Sequence, residues 1–231
     1  MSTYREMTYI VLDELKLVSD DSHFVEEHVI FLLDKYRAFI LKQRYTDVKK
    51  EIPESNYQTI CLGLEETESV EGVPCVGPNF MKSTQKIPDM MTISTPKVTS
   101  IDFFSSNFTY VNNERFKYVG NNPYLLNQIY TTLAPSKYLY MRSNNPQLYY
   151  LKNIKVTGVF EKASEAALLQ CDKDGKCDIM DMQYPLEEGL IPVVVELIVK
   201  ELGGKKYAPT DNENNANDDL DKVAGNTGER R

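Results

Sequence analysis

Apolar residues recur at helical spacing near both ends of the chain and switch to short, partly alternating runs in the middle. Near the start, Tyr4, Met7, Val11, Leu15 and Val18 fall on one helical stripe. Thr3 and Glu6 are spaced as a capping box, in which the Thr hydroxyl accepts from a first-turn N–H and Glu6 reaches back. Ser19-Asp20-Asp21-Ser22 reads as a loop, and a second helix is predicted from about Phe24 to about Tyr45. Its core stripe is Val29, Leu32, Leu33, Tyr36, Phe39 and Ile40. Glu26 and Glu27 at its start, and Lys42 and Arg44 at its end, suit the helix dipole. Ile30 and Leu41 lie off the stripe but near each other on the wheel. They predict a second apolar partner, with another copy of the chain as a candidate.

Between Ile52-Pro53 and Phe160 the runs shorten and are punctuated by Pro, Gly and Asn, the pattern of strands and turns. Strands are predicted over 57–64, 98–104 and 107–111, and at 154–159, where Ile154, Val156 and Gly158 share a face. A hairpin is predicted from Tyr138–Met141 through Ser143-Asn144-Asn145-Pro146 to Leu148–Leu151, and a short helix over 123–130. Residues 65–90 read as a long excursion. Helix returns over Lys162–Gln170, a local run of good formers, and Pro185 is placed to open a further turn. Pro192 kinks or restarts that helix, which stops at Gly203-Gly204. Leu190, Ile191, Val194, Val195, Leu197, Ile198 and Leu202 nearly encircle it, predicting a central position, and Glu196 and Lys200 are ordered for an i,i+4 pair. Beyond Gly204 the chain turns polar and Asn-rich, with too little apolar surface to offset its own ordering entropy.

Composition narrows the function. Two His among 231 residues are poor material for acid–base, nucleophilic or His-ligated metal chemistry. No P-loop, dinucleotide fingerprint or nucleophile elbow is present, so no enzyme activity and no cofactor are predicted. The segment 171–178 resembles a calcium loop only superficially. Counted from Asp172, the fifth, sixth and twelfth places hold Lys176, Cys177 and Gln183, so it reads as a polar turn and no metal is predicted. His23 and His28 read as surface or boundary residues. There is no signal-type or membrane-spanning apolar run, and Cys61, Cys75, Cys171 and Cys177 form no small-domain disulfide framework. The expectation is a cytoplasmically made protein with free thiols and no membrane partner.

The net charge of −8 argues against bulk electrostatic binding of nucleic acid, but the sum hides a split. Residues 35–50 carry six bases, Lys35, Arg37, Lys42, Arg44, Lys49 and Lys50, against one acid, whereas residues 211–221 carry five acids and no base. The basic cluster reads either as a solvated flank whose stems cover the apolar stripe, or as a contact to DNA phosphates or an acidic partner. The 15 Tyr and 9 Phe concentrate in the strand region, where sheet packing and an interface explain them equally well.

Four stretches together resemble a known family: 29–45 with 52–58; Tyr138-Leu139-Tyr140 with 143–146; 156–161 leading into 165–167; and 185–187 through 196–202 with 212–219. They are similar to the head-to-tail connector (adaptor) proteins of tailed bacteriophages, most narrowly the portal-proximal ring protein of crAss-like Bacteroides phages. The resemblance implies an α+β fold: an α-helical bundle with a large antiparallel β insertion and an extended C-terminal arm. Its parts would be a helical pair over 1–52, the insertion over 53–161, bundle-completing helices over 162–204, and an arm over 205–231. It implies a structural ring of twelve copies in the virion neck, assembled in the host cytoplasm, that joins portal to tail and extends the DNA channel. The portal protein, further copies, other tail ring proteins and passing DNA would be its partners, and it would help retain the packaged genome. The arm would bind the portal through Tyr207, Pro209, Asp211, Asn215, Asp218, Asp219 and Leu220. A tail-associated module binding a host glycan or another tail protein through the Tyr-rich region is the alternative.

Overall fold

A computed structural model describes residues 2–18, 24–47, 50–67, 80–101, 107–120, 122, 124–125, 127–170 and 178–203. The first helix, α1 (Tyr4–Val18), starts on the predicted capping box: Glu6 N donates to Thr3 Oγ1 at 3.2 Å, and Thr3 N donates to Glu6 Oε2 at 2.9 Å. Its stripe, Tyr4, Met7, Val11 and Leu15, is buried. Helix α2 (Glu26–Tyr45) and the C-terminal α5 (Ile191–Leu202) pack against it and against each other. Pro192 lies in the first turn of α5, where its missing N–H costs no helical bond, so the helix begins there instead of kinking. Val194, Val195, Ile198 and Leu202 of α5 are buried, each worth roughly 1.5–3 kcal/mol relative to exposure. Glu196 and Lys200 pair at 2.6 Å, as their spacing predicts.

The sheet is the larger body, and it overturns the predicted helical bundle of adaptor type. Seven strands run in the order β3-β7-β1-β2-β6-β5-β4: β1 (Gln58–Glu66), β2 (Phe80–Ser83), β3 (Lys97–Ser100), β4 (Asn107–Tyr110), β5 (Gln128–Leu133), β6 (Leu139–Arg142) and β7 (Asn153–Gly158). The two ends of that order, β3 and β4, lie beside each other, so the sheet curls toward a barrel. Among the described residues only α1, α2 and α5 are helices of any length; α3 (Asn113–Phe116) and α4 (Ala163–Ala167) are a turn or so each. The sheet is also mixed, not antiparallel throughout: β4 and β5 pair in parallel, Asn107 opposite Gln128 through Tyr110 opposite Thr131, with α3 in the crossover.

Other local expectations fail for identifiable reasons. The segment expected to pair with β6 as a hairpin forms a 3-10 turn, Pro146–Tyr150, because Pro146 fixes the backbone and the Asn145 side chain accepts from Gln147 N at 2.9 Å. Strand β6 pairs with β2 and β5 instead. Residues 128–130, expected in a helix, open β5, and Pro185 opens no helix: the next turn is 3-10, at Glu188–Leu190. Cys61 is disulfide-bonded, against the expectation of free thiols. Two main cores result. One gathers the helix stripes with Val159, Ala163, Met182, Tyr184 and Leu186; the other fills the curled sheet with Ile60, Leu62, Met141, Ile154, Val156 and Phe160.

Candidate functional site

Helix α2 carries Ile30, Lys35, Arg37, Leu41, Lys42 and Arg44 of the predicted site, and two of its rows, each spaced four apart, face opposite ways. One row, Leu33, Arg37 and Leu41, is buried. Arg37 is fully enclosed. Its Nε donates to Pro185 O at 2.7 Å, Nη1 to Phe160 O at 2.8 Å and Nη2 to Asn56 O at 3.0 Å. It therefore does not belong to the basic surface cluster. Burial lowers its pKa, opposed by the Tyr184, Tyr4 and Asp34 side chains. Asp34, three residues earlier, accepts from Tyr4 OH at 3.2 Å, from Ser164 N at 3.2 Å and from the Ser164 hydroxyl. Burial raises its carboxyl pKa, against the Ser164 bonds and the Arg37 charge. Tyr184 stacks edge-on against Tyr4 and donates from its hydroxyl to Leu33 O at 3.0 Å. Together these groups clamp α2 to the sheet and to the segment preceding α5.

The other row, Phe31, Lys35 and Phe39, faces outward. Phe31 and Phe39 are 59% and 57% exposed, although Phe39 was expected in the core. With Ile30, Ala38 and Met91 they line a groove of about 520 Å³ between α2 and the start of α4. Glu27, Lys42, Glu161, Lys162 and Glu165 form its charged rim. Leu41, proposed from the sequence as an interface residue, is buried within the subunit, whereas Ile30 is partly buried and lines the groove. His28 stacks on Phe31, with ring centroids 6.4 Å apart.

The remaining bases of the cluster are dispersed. Lys35 Nζ is held by Glu201 at 2.8 Å, and the Tyr36 hydroxyl donates to the same carboxylate. The Lys35 bond, then the Tyr36 bond, lowers the Glu201 pKa; desolvation and then Glu201 push the Tyr36 phenol up to about 12. Arg44 pairs with Glu187 at 3.4 Å, beside Tyr45, whose hydroxyl donates to Glu187 at 3.0 Å. Lys42 and Lys50 are exposed and make no ion pair among the described residues. Lys49, His23, the polar turn over 171–177 and the arm residues Tyr207, Pro209, Asp211, Asn215, Asp218, Asp219 and Leu220 lie outside the described residues. Among the described residues no group of His, Cys, Asp and Glu is arranged to hold a metal, and no helix is long and apolar enough to cross a membrane.

A groove walled by exposed aromatics offers apolar area and shape more than reactive groups, which suits protein docking. Comparison with known proteins points the same way. A family model for phage tail ring protein 2 matches residues 6–220. The chain belongs to this ring protein family. It is 48% identical over 220 residues to "Ring protein 2" of Bacteroides phage crAss001, spanning 94% of this chain and 98% of that protein. The resemblance to ring proteins of crAss-like phages is thereby shown, and with it a structural role in the virion. Sequence reasoning missed two parts of this ring protein's surface and interior, the exposed aromatic row and the buried Arg37. The signal for Arg37 was present: it sits four residues from Leu33 and from Leu41, both core positions.

Proposed function

We propose that copies of this chain form a ring in the neck of the virion, beneath the portal. That ring joins the capsid to the tail and lengthens the channel through which the genome passes. The observation that carries the reading is membership of the tail ring protein family across residues 6–220. The groove on α2 supports it, because an assembled subunit needs apolar surface that the isolated subunit leaves uncovered. Twelve copies, portal contact and an arm over 205–231 reaching the portal complete the proposal. Of the basic cluster, Lys42 and Lys50 are exposed and make no ion pair among the described residues, which suits contact with passing DNA. Helping to retain the packaged genome would follow from that position.

The test is mass photometry of the purified chain with and without portal protein, followed by cryo-electron microscopy of the virion neck. A closed ring of this chain on the portal is expected. A chain that neither self-associates nor binds portal, and is found elsewhere in the particle, overturns the proposal.

A further inference from the structure

A closed ring uses a heterologous contact: each copy presents two different patches, one to each neighbour. The α2 groove is one such patch. A second group of exposed apolar side chains lies on two loops, with Tyr118, Tyr124 and Leu125 on one and Tyr149 and Tyr150 on the other. Asn144 Nδ2 donates to Asn122 O at 3.2 Å and ties the two loops together. Tyr124 is 93% exposed and Tyr150 78%. Strand β7 sets the distance between the patches: Tyr149 and Tyr150 precede its first residue, Asn153, and Glu161 at the groove follows its last, Gly158. The patches therefore sit at opposite ends of one strand, where neither can cover the other within a subunit.

Their charges match. Arg115, Lys117 and Lys152 are exposed around the tyrosines, against one acid, Glu114, and none of the three bases forms an ion pair among the described residues. At the groove rim Glu27 and Glu161 are exposed and make no ion pair among the described residues, against the single base Lys42. Lys35 and Lys162 are already held by Glu201 and Glu165.

We propose that the α2 groove of one copy receives the tyrosine tip of the next, so that this contact, repeated, closes the ring. This inference rests on the ring reading above and names the surface that makes it. Tyrosine supplies large area at low conformational cost with a hydroxyl that can stay wet. Four tyrosines and Leu125 contribute an apolar centre of several hundred Å² to an interface of standard size, roughly 800 Å² per partner.

The test uses two variants of the full chain, F31E/F39E in the groove and Y124E/Y150E in the tip, followed by sedimentation velocity over a concentration series. Each alone should weaken self-association at least about thirtyfold, the loss of one hot-spot residue or more. Mixed together they leave one intact groove facing one intact tip, so a 1:1 dimer that does not grow further is expected. Cooperative thermal unfolding of each variant, together with that dimer, shows that both are folded. Variants that assemble like the wild type overturn the groove-to-tip contact and leave the ring reading standing. A wild type that never self-associates also overturns the contact. The ring reading is then judged apart from it, by whether imaged virion necks carry a closed ring of this chain.

Discussion

Replacing Arg37 by methionine keeps most of the stem's packing and removes a guanidinium that bonds to three separate chain segments. Each buried bond to a charged donor contributes about 1.5–3 kcal/mol net, so the three together set a scale of about 4.5–9 kcal/mol, an upper bound because bonds sharing one group do not add in full. The Arg37 and Asp34 charges also attract, so removing the guanidinium leaves the buried Asp34 carboxylate with one opposing charge fewer. An expected loss of about 4–5 kcal/mol would lower the urea midpoint by about 2 M at a typical slope. The pH dependence gives a sharper test. The Asp34 pKa is raised in the folded state, chiefly by burial, so its contribution is fully present below the unfolded carboxyl value and lost as pH rises through the folded one. Removing the Arg37 charge, which lowers that pKa, raises it further and extends the window upward. The penalty of R37M should therefore shrink on acidification, and D34N/R37M should recover part of the loss at neutral pH. A loss below about 1 kcal/mol, or a penalty flat from neutral to acid pH, would refute the reasoning.

Three further outcomes are expected. Thr3→Ala removes the acceptor of the α1 capping box and should cost about 1 kcal/mol, read as a Tm lower by about 2–4 °C; an unchanged Tm would deny the cap its role. Lys42→Glu with Lys50→Glu should leave the melting curve of the chain intact while lowering the yield of DNA-filled particles, and an unchanged yield would return both lysines to a solvated flank. Deleting residues 205–231 should leave the unfolding transition in place and weaken portal attachment, measured by co-sedimentation; equal attachment after truncation would count against the arm.

The helices were largely legible because their signals are local. The Thr3–Glu6 box, the α1 stripe, the Glu196–Lys200 pair and the stop at Gly203 each depend on residues within a few positions of one another. So was the alternation that buries Ile154 and Val156 in β7. The mixed topology was not, since nothing near 107–110 or 128–133 says that these strands pair in parallel. Nor was the failed hairpin, where Asn145 and Pro146 suit a tight turn between strands as well as the 3-10 turn they form. On α2, the Phe31–Phe39 row and the Leu33–Leu41 row look alike in a one-dimensional pattern: each has an apolar residue at both ends and a base in the middle. Phe39 is outside because the sheet approaches α2 through Arg37 and Phe160, and not through the Phe31–Phe39 row. The basic cluster misled for the same reason: Arg37 has the composition of a surface residue and the spacing of a core one.

That misread residue connects the two cores. Arg37 reaches from the helix-stripe core to the carbonyls of Asn56, just ahead of β1, and Phe160, just after β7. If neighbouring copies dock groove to tip, any force passed around the ring enters a subunit at α2 and leaves at the far end of β7. Between those points it must cross from the helix layer to the sheet. Apolar contacts resist separation across that boundary but let surfaces slide, because dispersion and burial are non-directional. Two directional bonds from one planar guanidinium to the Phe160 and Asn56 carbonyls, braced by a third to Pro185, oppose sliding in a way that a methionine of similar length cannot. A ring subunit thus has reason to hold a desolvated arginine where well-packed apolar residues would serve stability alone. On this account R37M, assayed below its lowered melting point, should still dock its neighbour while forming rings that break more readily under osmotic shock of filled particles.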